Sequence, residues 1–202
     1  MRTLLVGVST RALAESAVRA GMDAVAVDYF GDLDQRRLIP ALAVGRDFGL
    51  PFDEGSIYKV CLLFDYDGVI YTGGADIKPA LIDQISRGKL LFGNDSKVLR
   101  QVRDPLSLRE ACRKGGIGFP VTFLSGEAET LNKEMRWLVK PVYGGSGFGI
   151  DFYDGGKVDE DFYVQQFVSG LPASASFLSD GMTCRLLGMT RQLIGDETLG
   201  GS

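Results

Sequence analysis

One lysine, Lys140, stands at the end of the apolar run Trp137-Leu138-Val139 and directly before Pro141 and a glycine-rich loop, Gly144-Gly145-Ser146-Gly147-Phe148-Gly149. Glycines let backbone N–H groups approach an anion with no Cβ in the way, and an ammonium at the rim adds positive charge. The pattern therefore suits phosphate, although a glycine-rich turn is equally readable as a hairpin tip. The chain contains no histidine. That removes Ser-His-Asp triads, Cys-His dyads, imidazole bases and His-ligated zinc together.

The elements that must hold such a site can be read from apolar periodicity. Residues 138–140 form a short predicted strand bounded by Pro141, which cannot donate to a sheet ladder. At the start of the chain, the run 4–8 reads as a buried strand, 12–20 as a helix stopped by Gly21, and 24–27 as a second strand closed by Asp28. This is a βαβ unit of a parallel sheet, in which ligands sit at the carboxyl ends of strands. Ser9, Thr10, Arg11 and Asp28 fall at those ends, as do Gly73 and Gly74 after a predicted strand at 68–72. Each is also an ordinary turn residue. The first turn lacks G-x-G-x-x-G, which disfavours a nicotinamide-dependent oxidoreductase. Residues 29–34 read as a loop, 38–44 as a short helix or irregular segment, 59–64 as the end of a helix, 79–88 as a helix and 90–93 as another buried strand.

From about residue 96 the pattern changes. Residues 97–102 are a basic helical stretch, and Asp104-Pro105 opens a further helix with an N-cap aspartate and proline in the first turn. After Gly115-Gly116 come short alternating segments separated by Gly/Asp turns, the signature of antiparallel pairing. The expected fold class is α/β, a Rossmann-like parallel module at 1–95 followed by a smaller α+β domain at 96–202.

Composition narrows the partners. The 202 residues are 45% hydrophobic and 24% charged, with net charge −4 and a pI near 4.9, so a polyanionic nucleic acid is not the expected partner. Cys61, Cys112 and Cys184 have no C-x-x-C spacing and are expected to be reduced and mostly buried. No run reaches the roughly 18 apolar residues of a membrane span. A cytoplasmic protein is expected, with a homo-oligomer left open.

The order of these features resembles the ATP-grasp superfamily of carboxylate-activating ligases, in particular its predicted ATP-dependent carboligase branch. The resemblance rests on the Rossmann-like first module, the helix 104–114 with Gly116-Ile117-Gly118-Phe119-Pro120 after it, the Trp-Leu-Val-Lys-Pro strand with its loop, and Tyr163-Val164-Gln165-Gln166-Phe167-Val168. It implies that Lys140 contacts nucleotide phosphates, that Gly144, Gly145, Ser146, Gly147 and Gly149 fold over them, and that Gln165, Gln166 and Val168 form the hinge against adenine. One of Lys97, Arg100 and Arg103 adds a phosphate contact, or all three are a solvated helix face. Ser9, Thr10, Arg11, Asp28, Gly73 and Gly74 become candidates for binding the acceptor substrate.

The implied activity is ATP-dependent joining of a small-molecule carboxylate to an amine through an acyl phosphate, with ATP and Mg2+ as cofactors. Two departures stand out. Gln165 occupies a position where many relatives have glutamate, and the Asp/Glu and Glu-x-Asn metal ligands that the family places well past the hinge have no counterpart here. Asp196 and Glu197 come too early to serve. The expectation is therefore a truncated or split ligase whose metal ligands lie in a missing C-terminal segment. The competing class is a non-catalytic nucleotide- or small-molecule-binding module.

Overall fold

Leu4, Leu5 and Val6 are completely buried, and a strand covered on both faces belongs inside a sheet. They lie in β1 (Arg2–Val6), which pairs in parallel with β2 (Asp23–Asp28) on one side and β4 (Gly68–Tyr71) on the other. β3 (Ala41–Ala43) and β5 (Leu90–Leu91) complete a five-stranded parallel sheet in the order β3-β2-β1-β4-β5. The structure is a computed structural model that describes residues 1–132, 134–145 and 147–194.

Both faces of this sheet are covered. On one, α1 (Arg11–Arg19) sets Ala14 and Ala17 against Leu5, Ala24 and Ala26. On the other, α4 (Glu54–Cys61), α5 (Pro79–Ile85) and α6 (Ser96–Arg103) bring Ile57, Val60, Leu81, Ile82, Ile85 and Leu99 onto Leu4, Val6, Val25, Val27 and Val69. Each such side chain contributes about 1.5–3 kcal/mol by leaving water. The short helices α2 (Leu33–Leu38) and α3 (Val44–Phe48) flank β3.

Three expectations need correction here. Residues 38–44 are not one helix or an irregular segment, because 41–43 pair with Ala26, Val27 and Asp28 as β3, a strand too short to show a period in sequence. The predicted buried strand at 90–93 is, among the described residues, an edge strand at 90–91 paired with β4, and Leu90 is 56% and Phe92 46% exposed. Of the cysteines only Cys61 is buried, where desolvation pushes its thiol up to about 12, while Cys112 is half-buried and Cys184 exposed.

After α6, Asp104 accepts hydrogen bonds from the N–H groups of Leu106 and Ser107 and opens α7 (Pro105–Lys114), with Pro105 in the first turn as predicted. Then β6 (Thr122–Leu124), β7 (Trp137–Pro141), β8 (Asp151–Phe152) and β9 (Phe162–Gln166) form a four-stranded antiparallel sheet in the order β6-β9-β7-β8. Trp137 anchors it, buried beside Val158 and Val164 and edge-on to Phe123 at 5.6 Å, with its indole N–H donated to Asn132 O.

The chain divides into a compact unit Met1–Gln166, which holds both sheets described so far, and a second unit Phe167–Ser202. The described part of the second unit is a hairpin of β10 (Ala173–Ser179) and β11 (Cys184–Arg191), turned at Asp180, whose carboxylate accepts from the N–H groups of Met182 and Thr183. Among the described residues, no helix is long and apolar enough to cross a membrane.

Candidate functional site

The parallel sheet has its switch point between β1 and β4: the chain leaves β1 towards β2 and returns on the other side of β1 as β4. The loops after these two strands diverge at their carboxyl ends and leave a crevice there. Val8 N–H donates to Gly73 O at 2.8 Å, which fixes the two exit loops to each other at the base of the crevice. A cleft of about 850 Å3 opens above them. Ser9, Thr72, Gly73 and Gly74 line one wall, and Pro141, Tyr143, Gly144, Gly145, Phe148 and Gly149 line the other.

Lys140 is positioned by the ladder of β7. It stands opposite Tyr163 on β9, and Gln165 is the diagonal neighbour on the same face, within reach of a long side chain. The lysine Nζ accordingly lies 5.7 Å from the Tyr163 ring centre and donates to Gln165 Oε1 at 3.1 Å. Gln165 in turn donates from Nε2 to Thr122 Oγ1 at 3.0 Å, and Thr122 donates to Pro120 O at 2.9 Å. The ammonium is held half-buried at the end of a satisfied chain of hydrogen bonds, with no carboxylate to neutralise it among those partners.

Beyond Pro141 the loop reverses by two tight turns, in which Phe148 N–H donates to Gly145 O and Ile150 N–H to Gly147 O. Gly147 and Gly149 have φ of 77° and 75°, the left-handed region that favours glycine. Arg103, the last residue of α6, reaches this loop: its guanidinium donates to Gly144 O and pairs with Asp76. Asp76 accepts Gly74 N–H on its other oxygen at 2.9 Å. A second hollow of about 260 Å3 lies under the loop, with Arg103 and Lys140 as its two cations and apolar walls from Val102, Leu108, Phe148 and Ile150. No acidic residue is among its described lining.

The remaining predicted residues fall in different places. Thr10 and Asp28 do not line the cleft: Asp28 accepts Thr10 N–H, Thr10 Oγ1–H and Gly31 N–H, and Gln35 Nε2 donates to Thr10 Oγ1, all of them buried. Arg11 is exposed and faces Asp34 at 3.4 Å. Of the three basic candidates, Arg103 lines both hollows, Arg100 bonds Ser96 and Asp83, and Lys97 is exposed. Gln166 has its backbone N–H paired with Val121 O at 2.8 Å, and Val168 is an exposed residue of the second unit. Ser146 lies outside the described residues, as do Asp196 and Glu197.

The sequence of residues 102–201 matches the family model described as the ATP-grasp domain. Residues 102–201 belong to the ATP-grasp family. The fold is similar to that of an L-amino acid ligase from Bacillus licheniformis, at 16% identity and a TM-score of 0.64 over 93% of this chain and 49% of that one. It is also similar to an N5-carboxyaminoimidazole synthetase from Staphylococcus aureus solved with ADP, at 14% identity and a TM-score of 0.63 over 94% of this chain and 54% of the other. A carboxyaminoimidazole ribonucleotide synthase from Aspergillus clavatus solved with ATP aligns at 11% identity and a TM-score of 0.65, over 93% of this chain and 53% of its own. The chain thus spans about half the length of these structures. No curated protein matches it.

Within the ATP-grasp region, β7, β9 and the glycine loop carry Lys140 and Gln165, while Arg103 enters at its first residues. The sequence reading missed Asp76, Tyr143 and Phe148. Asp76 had a usable signal, since it follows Gly73-Gly74 by two residues at the carboxyl end of a parallel strand. Tyr143 and Phe148 flank the glycines and had none beyond that proximity. Among the described residues, no group of three or more His, Cys, Asp or Glu side chains is gathered to hold a metal ion.

Proposed function

We propose that this chain forms the nucleotide grip and part of the acceptor wall of an ATP-dependent carboxylate–amine ligase. In this reading residues 1–95 are the Rossmann-like module that precedes an ATP-grasp domain and 96–202 belong to that domain. The observation that carries it is the hollow under the glycine loop, where Arg103 and Lys140 face inward with no acidic residue among the described lining. Two cations beside a glycine-rich loop suit a polyphosphate, and the apolar walls from Val102, Leu108 and Ile150 suit a base or ribose edge.

ATP supplies the phosphoryl group that converts a carboxylate into an acyl phosphate, which an amine attacks as phosphate leaves. The residues of this chain bind and orient. Lys140, kept in place by Gln165, offsets negative charge on the phosphates, and the loop backbone closes over them. Ser9, Gly73 and Gly74 face the glycine loop across the larger cleft and receive the acceptor acid. The structural relatives solved with ADP and with ATP support the choice of nucleotide. Mg2+ accompanies the nucleotide in this proposal, and the described residues contribute no acidic cluster to it. The substrates are small molecules, and a cytoplasmic setting suits ATP as co-substrate.

Calorimetric titration with Mg-ATP, with NADH as the counter-ligand, tests the grip. The expected result is ATP binding that weakens at least about ten-fold in Lys140→Ala, the scale of a lost charge-assisted hydrogen bond. ATP binding equally well to the variant, or NADH binding in its place, would refute the assignment. Phosphate release on adding candidate acids with an amine then separates ligase from binding module.

A further inference from the structure

Arg103 touches both walls of the main cleft. Its guanidinium donates to the carbonyl of Gly144 in the glycine loop and pairs with Asp76, which follows the β4 exit loop. Asp76 holds that loop as well, through Gly74 N–H. It is the only carboxylate among the described residues that line the cleft, and Arg103 is the only cation there. The chain Gly74–Asp76–Arg103–Gly144 therefore links the Gly73–Gly74 wall to the glycine loop by three consecutive polar contacts.

Arginine presents a planar fork that matches carboxylate and phosphate in the same way. The Asp76 carboxylate thus occupies donors that a phosphate would use, in a guanidinium that also lines the hollow with Lys140. We infer that Asp76 is a positioning residue that competes with polyphosphate for Arg103, so that nucleotide binding draws Arg103 from Asp76 and releases the tie between the two walls. The inference rests on reading the loop hollow as a phosphate site, and it adds a direction to that reading. A polyphosphate beside Asp76 also repels it, because two anions then share one partner. The Gly73–Gly74 wall loses its tie to the glycine loop only after the phosphates are held, which gives an order to substrate binding.

The competition has a signature that a purely structural tie lacks. Asp76→Asn keeps an oxygen for Gly74 N–H and removes the charge that engages Arg103. Inorganic tripolyphosphate, titrated by calorimetry into the chain, is expected to bind this variant about ten-fold more tightly than wild type, the scale of one charge-assisted hydrogen bond. Adenosine, which has no phosphate, should show no difference. In an Arg103→Gln background the gain should shrink to the small part that relief of charge repulsion supplies, since the competitor has nothing left to compete for. Asp76→Ser, which also retains an acceptor near Gly74, is the second variant should Asn perturb folding, and thermal unfolding of each variant is recorded alongside. Unchanged or weaker tripolyphosphate binding in Asp76→Asn overturns the inference, as does a gain of undiminished size without Arg103. Loss of the fold in both variants overturns it too, because the carboxylate would then be a structural tie. If wild type binds ATP through Lys140 but Asp76→Asn gains nothing, only this inference falls. If wild type binds neither ATP nor tripolyphosphate, the phosphate reading itself falls.

Discussion

Lys140 Nζ donates to Oε1 of Gln165 at 3.1 Å, across one diagonal step of the β7–β9 ladder. A glutamine at this place fixes the ammonium by a neutral hydrogen bond and leaves its charge available to a ligand. The amide is 9% exposed and uses its other end on Thr122, so its orientation is set from both sides. Gln165→Leu removes both bonds and is expected to cost about 1–3 kcal/mol in urea unfolding. Combined with Lys140→Met in a double-mutant cycle, it should show a coupling of about 1 kcal/mol. Strict additivity of the two single variants would show that the contact does not operate in solution.

Gly144 and Gly145 stand next to each other in the loop but meet different surroundings. A Cβ on Gly144 would lie 2.5 Å from Cγ of Pro141, a ring atom with little freedom to retreat, whereas one on Gly145 meets nothing within 4 Å. Gly144→Ala must therefore displace the loop from Pro141 and disturb the carbonyl that Arg103 holds. Its expected cost is about 1–3 kcal/mol, as for other overpacked sites, with weaker ATP binding. Gly145→Ala should stay within about 0.5 kcal/mol of wild type. Equal behaviour of the two variants, in unfolding and in ATP titration, would contradict the loop geometry.

Asp28 and Thr10 sit at strand ends where a parallel sheet would offer ligand contacts, yet both are buried in their own network. Removing the carboxylate leaves the N–H groups of Thr10 and Gly31 without their acceptor. Asp28→Ala is accordingly expected to lose about 3 kcal/mol of stability. Asp28→Asn, which retains one acceptor oxygen, should lose less. An alanine variant with unchanged urea midpoint but impaired binding of an acceptor acid would reassign Asp28 to the site.

These residues show how far local pattern reaches. The βαβ start, the Asp104-Pro105 helix entry, the Trp137 strand and the antiparallel second sheet were readable because each depends on spacing within a few residues or on a cap. The placement of Lys140 on a strand that leads into the glycine loop was readable for the same reason. What was not readable depends on contacts between distant segments. Nothing local separates Ser9, which faces the cleft, from Thr10, which turns to Asp28, since both follow the same strand. That Arg103, and not Arg100 or Lys97, lines both hollows likewise goes with contacts to Asp76 and Gly144, 27 and 41 residues away in sequence. β3 escaped because its three residues acquire their strand only by pairing with β2.

Arg103 is set by the junction of two helices, and that junction depends on Asp104. The Asp104 N–H closes α6 on Arg100 O at 3.0 Å, while its carboxylate accepts from Ser107 Oγ–H and from the N–H groups of Leu106 and Ser107 to open α7. The Ser107 hydroxyl, and then those two backbone donors, outweigh partial burial and hold the carboxyl below its ordinary value of 3.8. A carboxyl whose folded value is depressed stabilises the protein above the unfolded value, and that contribution fades as pH falls through the folded one. The expected outcome is a stability difference between wild type and Asp104→Asn that is constant from about pH 5 to 8 and shrinks progressively below about pH 4. Asparagine still caps, so this difference isolates the charge, whereas Asp104→Ala should lose about 0.5–2 kcal/mol at neutral pH as well. Urea midpoints measured along the pH series check both. A wild-type advantage over Asp104→Asn that grows on acidification would have the wrong sign for a capped, ionised Asp104.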